Sequence, residues 1–158
     1  MSTSITLETH EVMLAAGVGV RRHVSALRGG LRDQHGFAGD GWGVHVEGAC
    51  GEMAVAKLLN LYWNGSVDTF KDFGDVGALQ VRTRSRHHYD LIVRRNDRGS
   101  DRFVLVTGTC PNFVVRGYIA AGEAQSHPEW LQKYGDREPA FFVPQVALHD
   151  LGAELRVA

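Results

Sequence analysis

Residues 74–86 read GDVGALQVRTRSR, and the alternation within them decides how the chain is expected to fold. From Leu79 onward, Leu79, Val81 and Thr83 fall on one side of an extended strand, and Gln80, Arg82, Arg84 and Arg86 fall on the other. One face suits a core and the other is strongly cationic. Just before the strand, Asp75 stands among the glycines Gly74 and Gly77. There its carboxylate can approach a metal, a phosphate or an arginine closely.

Upstream, residues 47–63 read EGACGEMAVAKLLNLYW. At 100° per residue their apolar side chains cover nearly the whole circumference, which predicts a helix buried on all sides. A second helix is predicted over residues 8–27, with Thr9 as a cap and Gly29 and Gly30 as the stop. Between the two, residues 31–46 are rich in glycine and read as a loop anchored by Trp42. Downstream of Asn64 and Gly65, extended runs are predicted at residues 67–70, 78–83, 89–94 and 103–107. A further run at 113–119 follows the break at Cys110 to Asn112. The turn at Asn96 to Gly99 predicts an antiparallel hairpin between the third and fourth runs. The tail holds a short helical piece, a polar loop over residues 133–139 and a last extended run at 141–143. The expected class is α+β, an α/β sandwich in which a mixed or antiparallel sheet carries helices on one side.

The chain has 158 residues, 44% of them hydrophobic and 22% charged. These figures suit a single domain and argue against disorder or a fibrous repeat. The net charge of -1 excludes a histone-like polycation, but it is unevenly spread. Residues 1–52 carry four basic and six acidic side chains, residues 53–118 carry ten and six, and residues 119–158 carry three and six. The excess of positive charge therefore coincides with the arginine strand. Cys50 and Cys110 lie sixty positions apart without a second Cys or His at ligand spacing, so no zinc knuckle or disulfide framework is expected. The first twenty residues lack the basic and cleavage regions of a signal peptide, and their apolar run is too short to span a bilayer. The expectation is a cytoplasmic protein without a membrane span.

A helix containing GEMAVAKLL, a lone Asp at a sheet turn, and a strand bearing a polar-x-basic triplet five residues later together resemble the PD-(D/E)xK nuclease superfamily. The resemblance covers residues 48–118. It implies a restriction-endonuclease-like fold, a mixed sheet with flanking helices, in one domain spanning 1–158. Residues 1–46 would form an N-terminal helix and loop, 47–119 the nuclease-like core and 120–158 a C-terminal extension. The family pattern of helical Glu, then Asp, then Glu or Gln, any residue, and Lys falls on Glu52, Asp75, Gln80 and Arg82.

By that resemblance these four residues would be catalytic in a Mg²⁺- or Mn²⁺-dependent hydrolysis of DNA phosphodiester bonds. Asp75, the Gln80 side-chain carbonyl, the Val81 backbone carbonyl and Glu52 would hold the metal, and Arg82 would stabilise charge at phosphorus. Two residues depart from the pattern. Gln80 removes a negative charge from the site. Arg82 stays protonated where a lysine can position or deprotonate water. Lys57 and Lys71 are the nearby lysines, and Lys57 lies about 140° around the helix from Glu52. Nucleic acid, DNA foremost, would lie against Arg84, Arg86, His87, His88, Arg94 and Arg116. A homodimer would suit the cutting of both strands. The small size, without an accessory domain, suits a nuclease of phage or mobile-element type.

The residues also admit two other readings. One is a nuclease-like fold without catalysis, serving as a DNA-binding or protein-interaction module, for which Gln80 and Arg82 are the best support. The other is a buried ion network, because a carboxylate in a helix with no polar face must find a partner. Glu52 would then bridge to one of the fourteen arginines, with Arg82 and Arg84 as the expected partners of Glu52 and Asp75. Convergence of Glu52, Asp75 and Gln80 on one accessible point would favour a metal, and bidentate arginine pairs would favour the network.

Overall fold

The computed structural model describes residues 2–30, 39–67 and 74–152. The run expected at 67–70 lies outside the described residues beyond Val67, as does Lys71. Strand β1 (Thr3–Thr6) leads into helix α1 (Thr9–Arg28), and α2 (Gly41–Leu59) follows. Then come strands β2 (Leu79–Arg84), β3 (Leu91–Arg94), β4 (Arg102–Thr109) and β5 (Asn112–Ala120). A short helix α3 (Ala121–Gln125) and strands β6 (Leu131–Gln132) and β7 (Ala140–Val143) complete the order. The class is α+β with mixed sheets, as the alternation in β2 and the two helical stretches indicate.

The helix boundaries differ from expectation for local chemical reasons. At α1 the cap is Glu8 rather than Thr9, and the Glu11 carboxylate accepts the Glu8 N–H at 2.7 Å in a capping box. Helix α2 begins at Gly41, six residues before the expected start. The Asp40 carboxylate accepts the Trp42 N–H at 3.0 Å, a cap that offsets the poor helix propensity of Gly41 and Gly43. The helix ends at Leu59 because Asn60 turns left-handed at φ 55°. From Ala49 to Leu59 it is buried on nearly every side, as its composition requires.

Four strands form the main sheet in the order β1-β5-β4-β2, with β2 parallel to β4 and the other pairs antiparallel. The expected hairpin between the third and fourth runs does not form. Instead β3 leaves the main sheet and pairs antiparallel with β7, which also pairs with β6. Seven residues, 95–101, separate β3 from β4, far more than the two-residue loop that would force them side by side. The Asp97 carboxylate folds this segment back by accepting the Arg94 N–H at 2.6 Å.

The result is three layers. Helix α2, with α1 packed on it, covers one face of the main sheet, where Val55, Leu79, Val81, Val104 and Val106 share a core. On the other face Leu91, Val93, Phe103, Leu105 and Phe141 form a second core with α3. Alternate residues of β4 enter the two cores, so residues 103–108 are buried without a break.

Two glycines set the spacing of the helical layer. A Cβ on Gly19 of α1 would lie 2.5 Å from the Val46 Cα of α2, and one on Gly51 of α2 would lie 1.9 Å from the Thr83 Oγ1 of β2. Both contacts are impossible for any larger residue, so backbone approaches side chain and backbone directly. Among the described residues no helix is long and apolar enough to cross a membrane.

Candidate functional site: a buried carboxylate pair beside an arginine groove

Glu52 lies in the buried stretch of α2 and is 6% exposed. Its partner comes from α1. Arg22 donates from Nη1 to Oε1 at 2.7 Å and from Nη2 to Oε2 at 3.0 Å. The Trp63 indole Nε1–H adds a third donor to Oε2 at 3.0 Å, and the Arg22 Nε–H reaches the Ser66 carbonyl at 2.8 Å. One guanidinium thus ties α1, α2 and the segment after α2 together. Burial pushes the Glu52 carboxyl above its ordinary value, Arg22 and Trp63 pull it down, and the charge of Asp75 adds to the upward push.

Asp75 precedes β2 in a turn closed by hydrogen bonds to the Leu79 carbonyl. Its Oδ2 accepts the Val81 N–H at 2.7 Å. Burial raises its carboxyl as well, against the lowering effect of the Val81 amide, Arg82 and Arg22. Glu52 and Asp75 are therefore electrostatic neighbours, and Arg22 acts on both, by two hydrogen bonds to Glu52 and by its charge at Asp75.

Of the four expected metal ligands, the two carboxylates are engaged by protein donors and Gln80 lines a different face. Both Glu52 oxygens accept protein donors, and one Asp75 oxygen accepts an amide. Gln80 lines the opposite face of β2 from Leu79 and Val81, which belong to the α2-side core. Among the described residues no group of three or more His, Cys, Asp or Glu side chains could hold a metal. Of the expected ion network, Glu52 has an arginine partner, but it is Arg22; Arg82 pairs with Asp97, Arg84 bonds the Asp90 carbonyl, and Asp75 feels the charges of Arg82 and Arg22.

Arg82 and Arg84 face a groove. Arg82 Nη2 lies 3.4 Å from Asp97 Oδ1, with its guanidinium 4.6 Å from the centre of the Phe103 ring. Arg84 donates from Nη1 to the Asp90 carbonyl at 2.7 Å and lies 4.5 Å over the Tyr89 ring. A cleft of about 470 Å³ holds Gln80, Arg82, Asn96, Asp97 and Phe103, and a second of about 420 Å³ holds His88, Tyr89, Tyr134, Arg137 and Phe142. Arg84, Ile92 and Arg94 line both, so the two adjoin along β2 and β3. Burial, with Arg94 and Arg137 nearby, holds the Arg84 guanidinium below its ordinary value, while Tyr89 and Asp90 oppose this.

Of the residues expected to meet nucleic acid, Arg84, His88 and Arg94 come together here. His88 sits edge-on to Tyr89 at 4.9 Å. Arg86 is exposed beyond the end of β2. His87 and Arg116 gather instead on the buried hydroxyl of Thr107, at 3.1 Å from Nδ1 and 2.9 Å from Nε. That cluster braces β4, β5 and the turn after β2 rather than lining either cleft.

Sequence reading missed Arg22, Tyr134, Arg137 and Phe142. Arg22 carries no local signal, since its partner is thirty positions away in another helix. Tyr134 and Arg137 sit in a polar loop whose only hint was an aromatic and a cation three residues apart. The chain matches no family model, no curated protein and no solved structure.

Proposed function

We propose that this chain binds nucleic acid, DNA foremost, along the arginine groove of β2 and β3, and that Glu52 and Asp75 serve the fold rather than a metal. The observation that supports this most is the meeting of Arg84, Arg94 and Arg137 along one groove whose walls include Tyr89, Tyr134 and Phe142. Arginine presents a planar fork that matches phosphate oxygens, and aromatic faces accept bases without regard to sequence. Four acidic residues line the groove beside its four arginines, and two of them are engaged within the protein. Asp97 serves Arg82 and the Arg94 amide, and Asp101 pairs with Arg98; Asp90 and Glu138 also line it.

The test is fluorescence anisotropy with labelled single-stranded and duplex DNA over a range of salt. Binding should weaken linearly on a log–log plot with a slope of about -0.9 per phosphate neutralised on duplex and about -0.7 on single strands. Arg94→Glu should weaken every oligonucleotide alike, whereas Glu52→Gln should leave affinity unchanged in the folded protein. Absence of binding at low salt would overturn the reading. Plasmid or single-strand cleavage with Mg²⁺ or Mn²⁺ that disappears in Asp75→Ala would reassign Asp75 to hydrolysis.

A further inference from the structure

The cleft at the β7 end of the groove differs from the rest in shape and chemistry. Its volume of about 420 Å³ lies within the range of sites for single small ligands, roughly 300–1,000 Å³. Cationic groups approach it from three elements, Arg84 from β2, Arg94 from β3 and Arg137 from the loop before β7, and outnumber the two carboxylates, Asp90 and Glu138, that also line it. Arg84 is fixed by the Asp90 carbonyl and stacked on Tyr89. That leaves the guanidinium pre-positioned, so ordering it on binding costs little. Beside this cationic cluster stands an aromatic pair, Tyr134 and Phe142, with ring centres 4.9 Å apart at 71°. Phe142 supports Tyr134 edge-on, and Tyr134 remains 57% exposed, so a ring face is available for stacking.

Resting on the nucleic-acid reading, we infer that this cleft is a pocket for a single nucleotide. In it Arg84, Arg94 and Arg137 hold the phosphate while the base stacks on Tyr134. The ligand class is a nucleoside monophosphate, free or as one unit of a single strand. Duplex DNA keeps its bases paired and stacked, so it would engage the groove through its backbone and leave the Tyr134 ring unused.

Calorimetric titration with 5′-nucleoside monophosphates, the matching nucleosides, inorganic phosphate and phenyl phosphate tests this, with single-stranded and duplex oligonucleotides titrated in parallel. Both Tyr134 and Arg137 are exposed, so substitutions there can be made without opening a core. Tyr134→Ala should weaken monophosphate binding about tenfold, the loss of one stacked base, and leave phosphate affinity unchanged, while Tyr134→Phe should restore it. Arg137→Ala should weaken monophosphate and phosphate together. Monophosphates that bind no tighter than phosphate, or a Tyr134→Ala variant that binds them like wild type, would overturn the pocket. So would phenyl phosphate binding more tightly than any nucleotide, which points to a phosphorylated aromatic side chain. Oligonucleotide binding that survives such a failure would leave the groove reading intact, whereas loss of binding to every nucleic acid would remove both.

Discussion

Removing Arg22 offers the sharpest test of how the buried carboxylate is held. In Arg22→Met the Glu52 side chain keeps its burial and the Trp63 N–H, but loses both guanidinium donors. The two side chains are 20% and 8% exposed, so water replaces little of what is lost. Breaking such a pair from one side costs about 3–5 kcal/mol, about a fifth or more of the stability of an ordinary domain, about 5–15 kcal/mol. For a chain of this size the melting temperature should fall by about 6–20 °C. Because the stranded carboxyl can escape by taking up a proton, the loss should shrink as the pH falls below neutral. The double variant Arg22→Met with Glu52→Met removes both charges and should lie well above the sum of the single losses, with a coupling of about 2 kcal/mol or more. Urea unfolding of the four proteins at pH 7 and pH 5 measures all of this. A loss below about 1 kcal/mol for Arg22→Met, or strict additivity, would refute the account of Glu52 as a paired structural charge.

Three further outcomes follow from the same physics. Asp75→Asn keeps an acceptor for the Val81 N–H while removing a desolvated charge, so at pH 7 it should be neutral or stabilising in thermal melts. A carboxyl raised by folding holds a proton that the unfolded chain has released. Asp75 thus contributes most below its ordinary 3.8 and less as the pH rises through the folded value, so wild type should gain on Asp75→Asn as the pH falls, and a relative loss would contradict the shift. On α1, two positions apart, alanine should act with opposite signs. Gly17→Ala meets nothing within 4 Å and should stabilise by about 0.5–1 kcal/mol, whereas Gly19→Ala strikes the Val46 backbone and should cost about 1–3 kcal/mol; equal effects in urea titrations would disprove the close helix crossing. Finally, burial, the neighbouring Cys110 and Glu47 push the Cys50 thiol up to about 12. Only Cys110 should react quickly with a disulfide reagent in the native protein, with Cys50 following on denaturation, and two equally fast thiols would count against this packing.

What could be read in advance was whatever is written in local periodicity. The alternation of Leu79, Val81 and Thr83 against Gln80, Arg82 and Arg84 was legible because each face of β2 has one fixed environment, a helix on one side and a groove on the other. The buried run of α2 was legible for the same reason. The start of that helix was not, since Gly41 and Gly43 argue against a helix and only the Asp40 cap argues for it. Strand β3 was recognisable as a strand, yet Leu91 and Val93 would be buried equally well beside β4 or on top of it, and nothing local distinguishes the two. Glu52 announced that it needs a partner, and fourteen arginines could have answered. Which one did depends on how closely α1 crosses α2 at Gly19, a tertiary distance. Tyr134 and Arg137 become meaningful only once β7 brings their loop against β3. The two cysteines, sixty positions apart, likewise become neighbours only through the fold.

The pairing of β1 with β5 bears on the order of events during synthesis. Thr3 sits opposite Val115 and Thr6 opposite Asn112, so β1, made before the other described strands, is among the last to find its place. Closing a loop of more than a hundred residues is slow, and until β5 has left the ribosome β1 has no edge to join. The helical pair α1 and α2, much closer together in sequence, can assemble first and shelter the apolar run of α2. Stalling translation before residue 112 should therefore leave a compact helical intermediate with its N-terminal residues open to protease, and release beyond residue 120 should protect them.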